Sequence, residues 1–301
     1  MKLDISHNSL NVYKALANDT RLDILNLVAE NDSNITEIAK ALNISKAITT
    51  RHVQQLIDAG LLIHRIKQKN SGSQKIVSQN VDNIEIVFPS TVYREFKQKK
   101  SIIKLGHYLD FSVNPTCGLA SKKRLIGNFD DTKSFLAPDR TEASLLWFAS
   151  GHVSYKIPNN LERHIDPELL EITMEIASEF PNSSNVWPSD IDFYVNDVLV
   201  GTWTCPGNFS DVRGFHTPDW WADDSSQYGV LLRILIKNDA TTFNGAETSK
   251  VTVTDLNLHD SEFISLKIES RKDAQNPGGV TIFGEGFGNH DQDINVNLYY
   301  S

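Results

Sequence analysis

The sequence predicts an α+β multidomain chain. A helical N-terminal part closed by a hairpin is followed by a long, mainly antiparallel β-sandwich or jelly roll. Three observations predict it. Apolar residues in the first 60 positions recur at helical spacing, whereas beyond about residue 101 short aromatic and β-branched runs alternate with turn clusters. Charge changes sign at the same place: residues 1–104 carry 15 Lys+Arg against 10 Asp+Glu, and residues 105–301 carry 14 against 28. With 301 residues, 40% of them hydrophobic, the chain is long enough for two cores. The expected division is 1–88 for the helical head with its hairpin, 89–104 for a helical linker, and 105–301 for the β part.

Residues 8–17 read as a short amphipathic helix with Leu10, Val12, Tyr13 and Leu16 available for burial. Asn18-Asp19-Thr20 is a capping cluster, after which Leu22, Leu25 and Val28 repeat at helical spacing. Asn34 and Glu37 stand as an Asn-started capping box before a short helix that stops at Asn43. Ser45 caps the next helix, which buries Thr49, Val53 and Leu56 and ends at Gly60. Two helices joined through Asn43-Ile44 have helix-turn-helix geometry. Residues 61–68 and 74–78 alternate around a turn cluster at 69–73, which predicts a hairpin with a basic tip. Residues 89–100 are expected to form one more helix.

The β part carries strand signals at 191–195, 198–204, 230–236, 251–254, 263–268, 280–283 and 294–300, with Asn196-Asp197 as a turn. The Leu170/Ile172/Met174/Ile176 alternation predicts a strand over 169–180. No internal repeat or low-complexity tract is seen.

The helix that starts after Ser45 has a free face of Lys46, Ala47, Ile48, Thr50, Arg51, Gln54 and Gln55. Small, polar and basic groups opposite a buried stripe suit entry into the major groove. Arg51 or Lys46 matches guanine O6/N7, Gln55 matches adenine, and Ile48 matches a thymine methyl. Residues 45–75 hold Lys46, Arg51, Arg65, Lys67, Lys69 and Lys75 against the single acid Asp58, an electrostatic footprint for phosphates. The DNA-contact set is therefore Ser45, Lys46, Ala47, Ile48, Thr50, Arg51, His52, Gln55, Lys67, Lys69 and Lys75, with His52 also readable as a structural histidine.

The run Asn34-Ile35-Thr36-Glu37-Ile38-Ala39-Lys40-Ala41-Leu42-Asn43-Ile44-Ser45, with Thr50, His52, Val53, Ala59, Gly60 and Leu61, resembles the ArsR-type winged helix-turn-helix. Ala15-Leu16-Ala17-Asn18-Asp19-Thr20-Arg21-Leu22 resembles that family's upstream signature. The resemblance implies a DNA-binding transcription regulator, a two-fold homodimer and an inverted-repeat operator on double-stranded DNA. Stretches of the β part, among them 115–120, 145–161, 189–206 and 217–221, resemble a group of predicted bacterial regulators in which such a head is joined to a long β-rich domain.

Metal-sensing members of that family carry paired cysteines or His/Asp/Glu clusters, and residues 35–41 contain neither Cys nor His, so no metal or other cofactor is expected. The two cysteines, Cys117 and Cys205, are read as lone thiols in a reducing cytoplasm. No secretory pattern or apolar run of membrane length occurs.

Four of five tryptophans (Trp187, Trp203, Trp220, Trp221) lie between 187 and 221. Interleaved Asp192, Tyr194, Arg213, His216 and Asp219 complete a candidate site. Aromatic faces for the C–H side of a pyranose beside planar hydroxyl-binding groups suggest a saccharide effector. The alternative is that the tryptophans are sandwich core. Adjacent Trp220-Trp221 cannot both point inward from one regular strand. His290-Asp291-Gln292-Asp293 could hold a cation, although a solvated turn suits it better. Gly284-Glu285-Gly286-Phe287-Gly288 lacks the following helix that a phosphate cradle uses. No spacing motif unites Asp192, Asp219, His216 and His290 into a catalytic set, so the chain is read as no enzyme. A carbohydrate-active or cupin-like catalyst, or a protein-interaction module, remain the other readings of the β part.

Overall fold

The computed structural model of the chain describes residues 1–69, 72–81, 84–87, 96–162 and 165–301. The chain divides into two compact units, Met1–Thr91 and Val92–Ser301. Among the described residues no helix is long and apolar enough to cross a membrane.

The first unit contains the helices α1 (Leu10–Leu16), α2 (Asp19–Glu30), α3 (Ile35–Ala41) and α4 (Lys46–Asp58). Side chains accept the unpaired N–H groups at three of their starts. Asn18 takes the amide of Arg21, Ser45 takes that of Ile48, and Asn34 with Glu37 completes the capping box. Each cap contributes about 1 kcal/mol. The turn into α4 passes through Asn43 at φ 53°, a left-handed conformation that asparagine tolerates, and α4 ends before Gly60 at φ 74°. The buried stripe of α2 is Ile24 and Val28, with Leu22 turned outward, so it sits rotated from the expected Leu22/Leu25/Val28 face. Leu10 likewise stays exposed while Val12 and Ala15 are buried.

Four strands complete this unit. β1 (Lys2–Asp4) pairs in parallel with β4 (Glu85–Val87), and both are too short to announce themselves by alternation. β2 (Leu62–Lys69) and β3 (Gly72–Gln79) form the expected antiparallel hairpin, with Leu62 opposite Gln79 and Lys69 opposite Gly72. Asn70 and Ser71 of its expected turn lie outside the described residues.

The second unit is a single branched sheet of thirteen strands among the described residues. They are β5 (Lys97–Ile103), β6 (Asp110–Ala120), β7 (Leu125–Ile126), β8 (Leu145–Pro158), β9 (Pro167–Ala177), β10 (Ser189–Val195) and β11 (Val198–Cys205). After these come β12 (Val230–Ile236), β13 (Thr241–Phe243), β14 (Ala246–Ser249), β15 (Phe263–Ser270), β16 (Val280–Phe283) and β17 (Ile294–Tyr300). All pairings in it are antiparallel. One run of neighbours is β7-β6-β8-β15-β10-β11 and the other is β5-β17-β9-β12-β13-β14, and β16 pairs with both β8 and β9 to join them. At the far ends the hydroxyl of Ser249 donates to the Val200 carbonyl at 2.6 Å, so β14 meets β11 and the sandwich is nearly closed into a barrel. Alternation along the strands fills the interior, as with Ile191, Phe193 and Val195 on β10. Asn196 and Asp197 both have positive φ (47° and 65°), the geometry of the tight turn between β10 and β11.

Two expectations are corrected. The helix expected over 89–100 does not extend through its second half: Lys97–Ile103 is strand β5, paired along β17, and residues 88–95 lie outside the described residues. Pairing with a buried terminal strand outweighs the helix propensity of a Lys-rich run. Residues 251–254 are not a strand but lead into a 3₁₀ turn at Thr254–Leu256.

Gly118 on β6 faces Trp147 on β8, its cross-strand partner, and a Cβ there would sit 2.3 Å from the indole ring. Gly118→Ala is therefore expected to destabilise the β unit by about 1–3 kcal/mol. Thermal unfolding followed by tryptophan emission checks this, and an unchanged transition would show that the ring has room to move.

Candidate functional site

Helix α4 buries Thr49, Val53 and Leu56 against the helical core and leaves Ser45, Lys46, Ala47, Ile48, Thr50, Arg51, Gln54 and Gln55 on its outer face. Ile48 is 49% exposed, an apolar group on the outer face. Among the described residues Lys46, Arg51 and Lys75 have no ion-pair partner, so their charge stands uncompensated. The side chains of Lys67 and Lys69 lie outside the described residues. His52 is half-buried beside the stripe, and its Nδ1 has no hydrogen-bond partner among the described residues. Burial, and then the charges of Arg21 and Arg51, lower its pKa, so the ring is neutral at pH 7.

Gln55 is not free to read adenine in the expected way. Arg21 Nη1 donates to its Oε1 at 2.8 Å, while Nε and Nη2 of the same guanidinium donate to the carbonyls of Ala15 and Lys14 at 2.6 Å each. A guanidinium only donates, so the amide oxygen of Gln55 must face it and the NH2 group points away. Arg21 thus ties the end of α1 to the recognition helix. Thr50 Oγ1 donates back to the Lys46 carbonyl at 2.8 Å.

The candidate ligand cluster is divided. Trp203 lies opposite Ile191 on the core side of the sheet and packs against the interior, whereas Asp192 and Tyr194 alternate to the other face of β10. Asp192 there accepts from Thr202 at 2.5 Å and from Arg271 Nε at 2.7 Å, and Lys267 lies 3.9 Å from the Tyr194 ring centroid. The remaining five residues belong to the loop between β11 and β12. Arg213 donates to Asp223 and to the Pro218 carbonyl, which braces the loop. The backbone amide of His216 donates to Gly288, and Asp219 is exposed. Trp220 is 40% exposed and Trp221 only 7%, so the neighbours do differ in burial. Trp221 donates to the Ser226 carbonyl at 3.0 Å and packs edge-on against Trp147.

The 284–293 segment wraps the buried carboxylate of Glu175, which accepts from the backbone amides of Gly229, Asn289 and His290 at 2.7–2.9 Å. Gly288 has φ 75°, and a Cβ there would lie 2.4 Å from Glu175 Oε1. Asp293 pairs with Lys104 at 2.8 Å, and Asp291 accepts the Gly286 amide at 2.9 Å. These carboxylates hold the loop.

A cleft of 270 Å³ opens in the β unit where sequence reasoning placed none. Trp147, Trp221, Phe129 and Phe180 contribute its aromatic surface, and Glu179, Asp130, Thr116 and Ser226 are among its polar groups. Trp221 alone comes from the predicted set. Phe129, 62% exposed, stands at the rim 5.9 Å from the Trp147 ring, and the Trp147 and Trp221 rings meet edge-to-face at 5.7 Å. Glu179 is buried just past β9; the hydroxyls of Thr116 and Thr281 donate to its two oxygens at 3.0 and 2.9 Å. Burial pushes its carboxyl up to about 8, with the charge of Asp130 adding to the shift against the two threonine bonds. Asp130 accepts the Cys117 amide at 2.9 Å. The signal for Glu179 was present in the sequence: Glu171, Glu175 and Glu179 recur every four residues on one side of an apolar run, and all three are buried.

A capped helix with an uncompensated basic face, preceded by a short helix through a tight turn and followed by a hairpin, defines a winged helix-turn-helix DNA-binding unit. Residues 18–63 match the family described as "Bacterial regulatory protein, arsR family", so the chain carries an ArsR-family helix-turn-helix, that of a DNA-binding transcription regulator. Three solved structures show likeness. HlyU from Vibrio cholerae is 25% identical over 26% of this chain and 84% of its own, with a TM-score of 0.22. The ANX1 ectodomain from Arabidopsis thaliana is 11% identical over 66% of this chain and 42% of its own, with a TM-score of 0.28. Dimeric latent PorU from Porphyromonas gingivalis is 10% identical over 80% of this chain and 18% of its own, with a TM-score of 0.27. Likenesses this slight define neither the fold nor the activity of the chain. No curated protein matches it.

Glu179 also sets a pH dependence. Its ordinary value is 4.5, so between about 5 and 8 the folded chain keeps a proton that the unfolded chain has released, and stability falls as pH rises through that window. Glu175, raised by burial to about 7, acts in the same direction. Urea unfolding of the β unit should give a lower midpoint at pH 8 than at pH 5. Glu179→Gln should flatten that slope, and an unaltered slope would mean that Glu179 titrates near its ordinary value.

Proposed function

We propose that the protein is a cytoplasmic, dimeric repressor that binds an inverted-repeat operator through α4 and the β2–β3 hairpin, and whose β unit senses a saccharide. The observation that carries the DNA half is the outer face of α4, where Lys46 and Arg51 stand uncompensated beside exposed Ile48 and Thr50. The excess of acidic residues after position 104 disfavours phosphate contact by the β unit and leaves it a different task. Exposed Leu10 and Leu22 on α1 and α2 are apolar groups available to a second copy. A ligand released by DNA binding must in turn loosen it, with a coupling of about 1–3 kcal/mol.

Arg51→Ala should weaken binding to the operator by about 1–3 kcal/mol and relax specificity at one base pair, with the fold intact. Gel-shift titration on operator and random duplexes checks this. Equal losses on both would reduce Arg51 to a phosphate contact, and protection of one half-site by a monomer would overturn the dimeric reading.

Glu179 and Asp130 line one aromatic cleft, and two carboxylates there are the raw material of the second reading, a glycoside hydrolase. Asp130 Oδ1, however, accepts the Cys117 amide and so helps to fix its own loop, which favours binding over turnover. Nitrophenyl glycosides of the common sugars should release no nitrophenol with the wild-type chain beyond that seen with Glu179→Gln. Release that depends on Glu179 would establish an enzyme.

A further inference from the structure

We propose that the cleft beside Trp147 and Trp221 is the effector site and that it takes one uncharged sugar ring while rejecting anionic derivatives of the same sugar. This deepens the reading of the β unit as a saccharide sensor and rests on it. Three independent features of the cleft point the same way.

Its size comes first. At 270 Å³ the cleft lies just below the roughly 300 Å³ at which ordinary small-molecule pockets begin, which is room for a single ring. The second feature is the aromatic geometry. The Trp147 and Trp221 rings meet at 64° and are 6% and 7% exposed, and Phe129, 62% exposed, leans over Trp147 at 46°, which makes an aromatic corner whose open ring surface is mainly that of Phe129. A pyranose presents C–H groups along one face and hydroxyls around its edge, and such a corner covers the C–H face. An aromatic cage for a quaternary ammonium instead directs several ring faces at one point, which edge-to-face packing does not do.

The third feature is the polar set. Glu179, Asp130, Thr116, Asn182, Ser225 and Ser226 line the cleft, and among the described residues neither Lys nor Arg does. These groups can accept from hydroxyls, but nothing among them neutralises a carboxylate or phosphate, and burying an unpaired anion costs several kcal/mol. Behind the wall the polar set continues. Thr281 donates to Glu179, and Asn208 Nδ2 donates to Ser226 Oγ at 2.7 Å and to the Ser178 carbonyl at 2.7 Å. Asn208 and Ser178 are fully buried, yet Asn208 Oδ1 and Ser178 Oγ have no hydrogen-bond partner among the described residues. Neither of these two residues lines the cleft, so they back its wall and do not contact its contents. Because burial keeps Glu179 protonated near pH 7, it offers a neutral donor and acceptor to a sugar hydroxyl instead of a counter-ion to a cation.

The test is saturation-transfer NMR on the full chain at pH 7 with glucose, galactose, mannose and xylose, and with glucuronate, glucose 6-phosphate and choline. At least one neutral sugar should show transfer, strongest at its ring C–H protons, and the two anions and choline should bind at least tenfold more weakly. Phe129→Ala, at an exposed rim position, should weaken sugar binding fivefold or more, with the thermal transition of the β unit checked alongside. Glu179→Gln, which keeps a neutral group of the same shape, should retain binding at pH 7 and remove the loss of affinity expected for the wild type above pH 8. No transfer from any of the four sugars, equal binding of an anion or choline, or binding indifferent to Phe129→Ala would overturn the proposal. The sensor reading fails separately. If a sugar binds here and DNA affinity is unchanged, sensing is wrong while the site stands; if a sugar loosens DNA and Phe129→Ala leaves that response intact, sensing stands and this site falls.

Discussion

Strand β16 is only four residues long, and all four are buried. It is hydrogen-bonded on both edges, pairing Val280–Phe283 with residues 145–148 of β8 on one side and Thr281–Phe283 with residues 175–177 of β9 on the other. Because it joins two runs of strands, its register sets which residues of the two layers become neighbours. Thr281 is opposite Trp147 on one edge and Ala177 on the other, two residues short of Glu179. The ring that walls the cleft and the carboxylate that lines it are thus brought together by one short strand. A one-residue slip would turn every side chain of β16 to the opposite face and separate them.

Buried carboxylates recur in the β unit and do two kinds of work. Glu171 and Glu175 sit inside β9 and are fully engaged. Glu171 accepts from Arg233, Asn297 and Tyr299, and Glu175 from three backbone amides of the loops that cross it. Paired in this way they fix loops and strand edges, as buried charges must when they are kept. Glu179 accepts from two threonine hydroxyls among the described residues and borders open space, and it holds its proton to higher pH than Glu175 does. One strand therefore supplies both structural anchors and a group available to a ligand, and the difference lies in what surrounds each position.

The first unit divides its polar groups in a similar way. Asn18, Asn34 and Ser45 serve helix starts, Arg21 serves the junction of α1 with α4, and Lys46, Arg51 and Lys75 are left to the solvent. Residues committed to capping and bracing hold the recognition helix rigid. The uncommitted cations then make an electrostatic face that salt would screen at phosphates, as counterion release requires.

Local rules determined much of this from sequence alone. Caps at Asn34 and Ser45, the buried stripe Thr49/Val53/Leu56, the hairpin after Gly60 and the alternation of β9 depend on neighbours within a few residues, and periodicity reports them directly. Strand β5 was hidden because its Lys-rich residues gain their conformation from β17, nearly 200 positions away. The tryptophans clustered between 187 and 221 drew attention through proximity in sequence, yet the β10–β11 register sets Trp203 opposite Ile191, on the face that Asp192 leaves, and the loop carries Trp221 to Trp147. Only the tertiary structure could place Trp147, Glu179, Asp130 and Trp221 around one cleft. They come from four segments with no shared spacing, and long-range strand pairing, which no local pattern encodes, decides which of them meet.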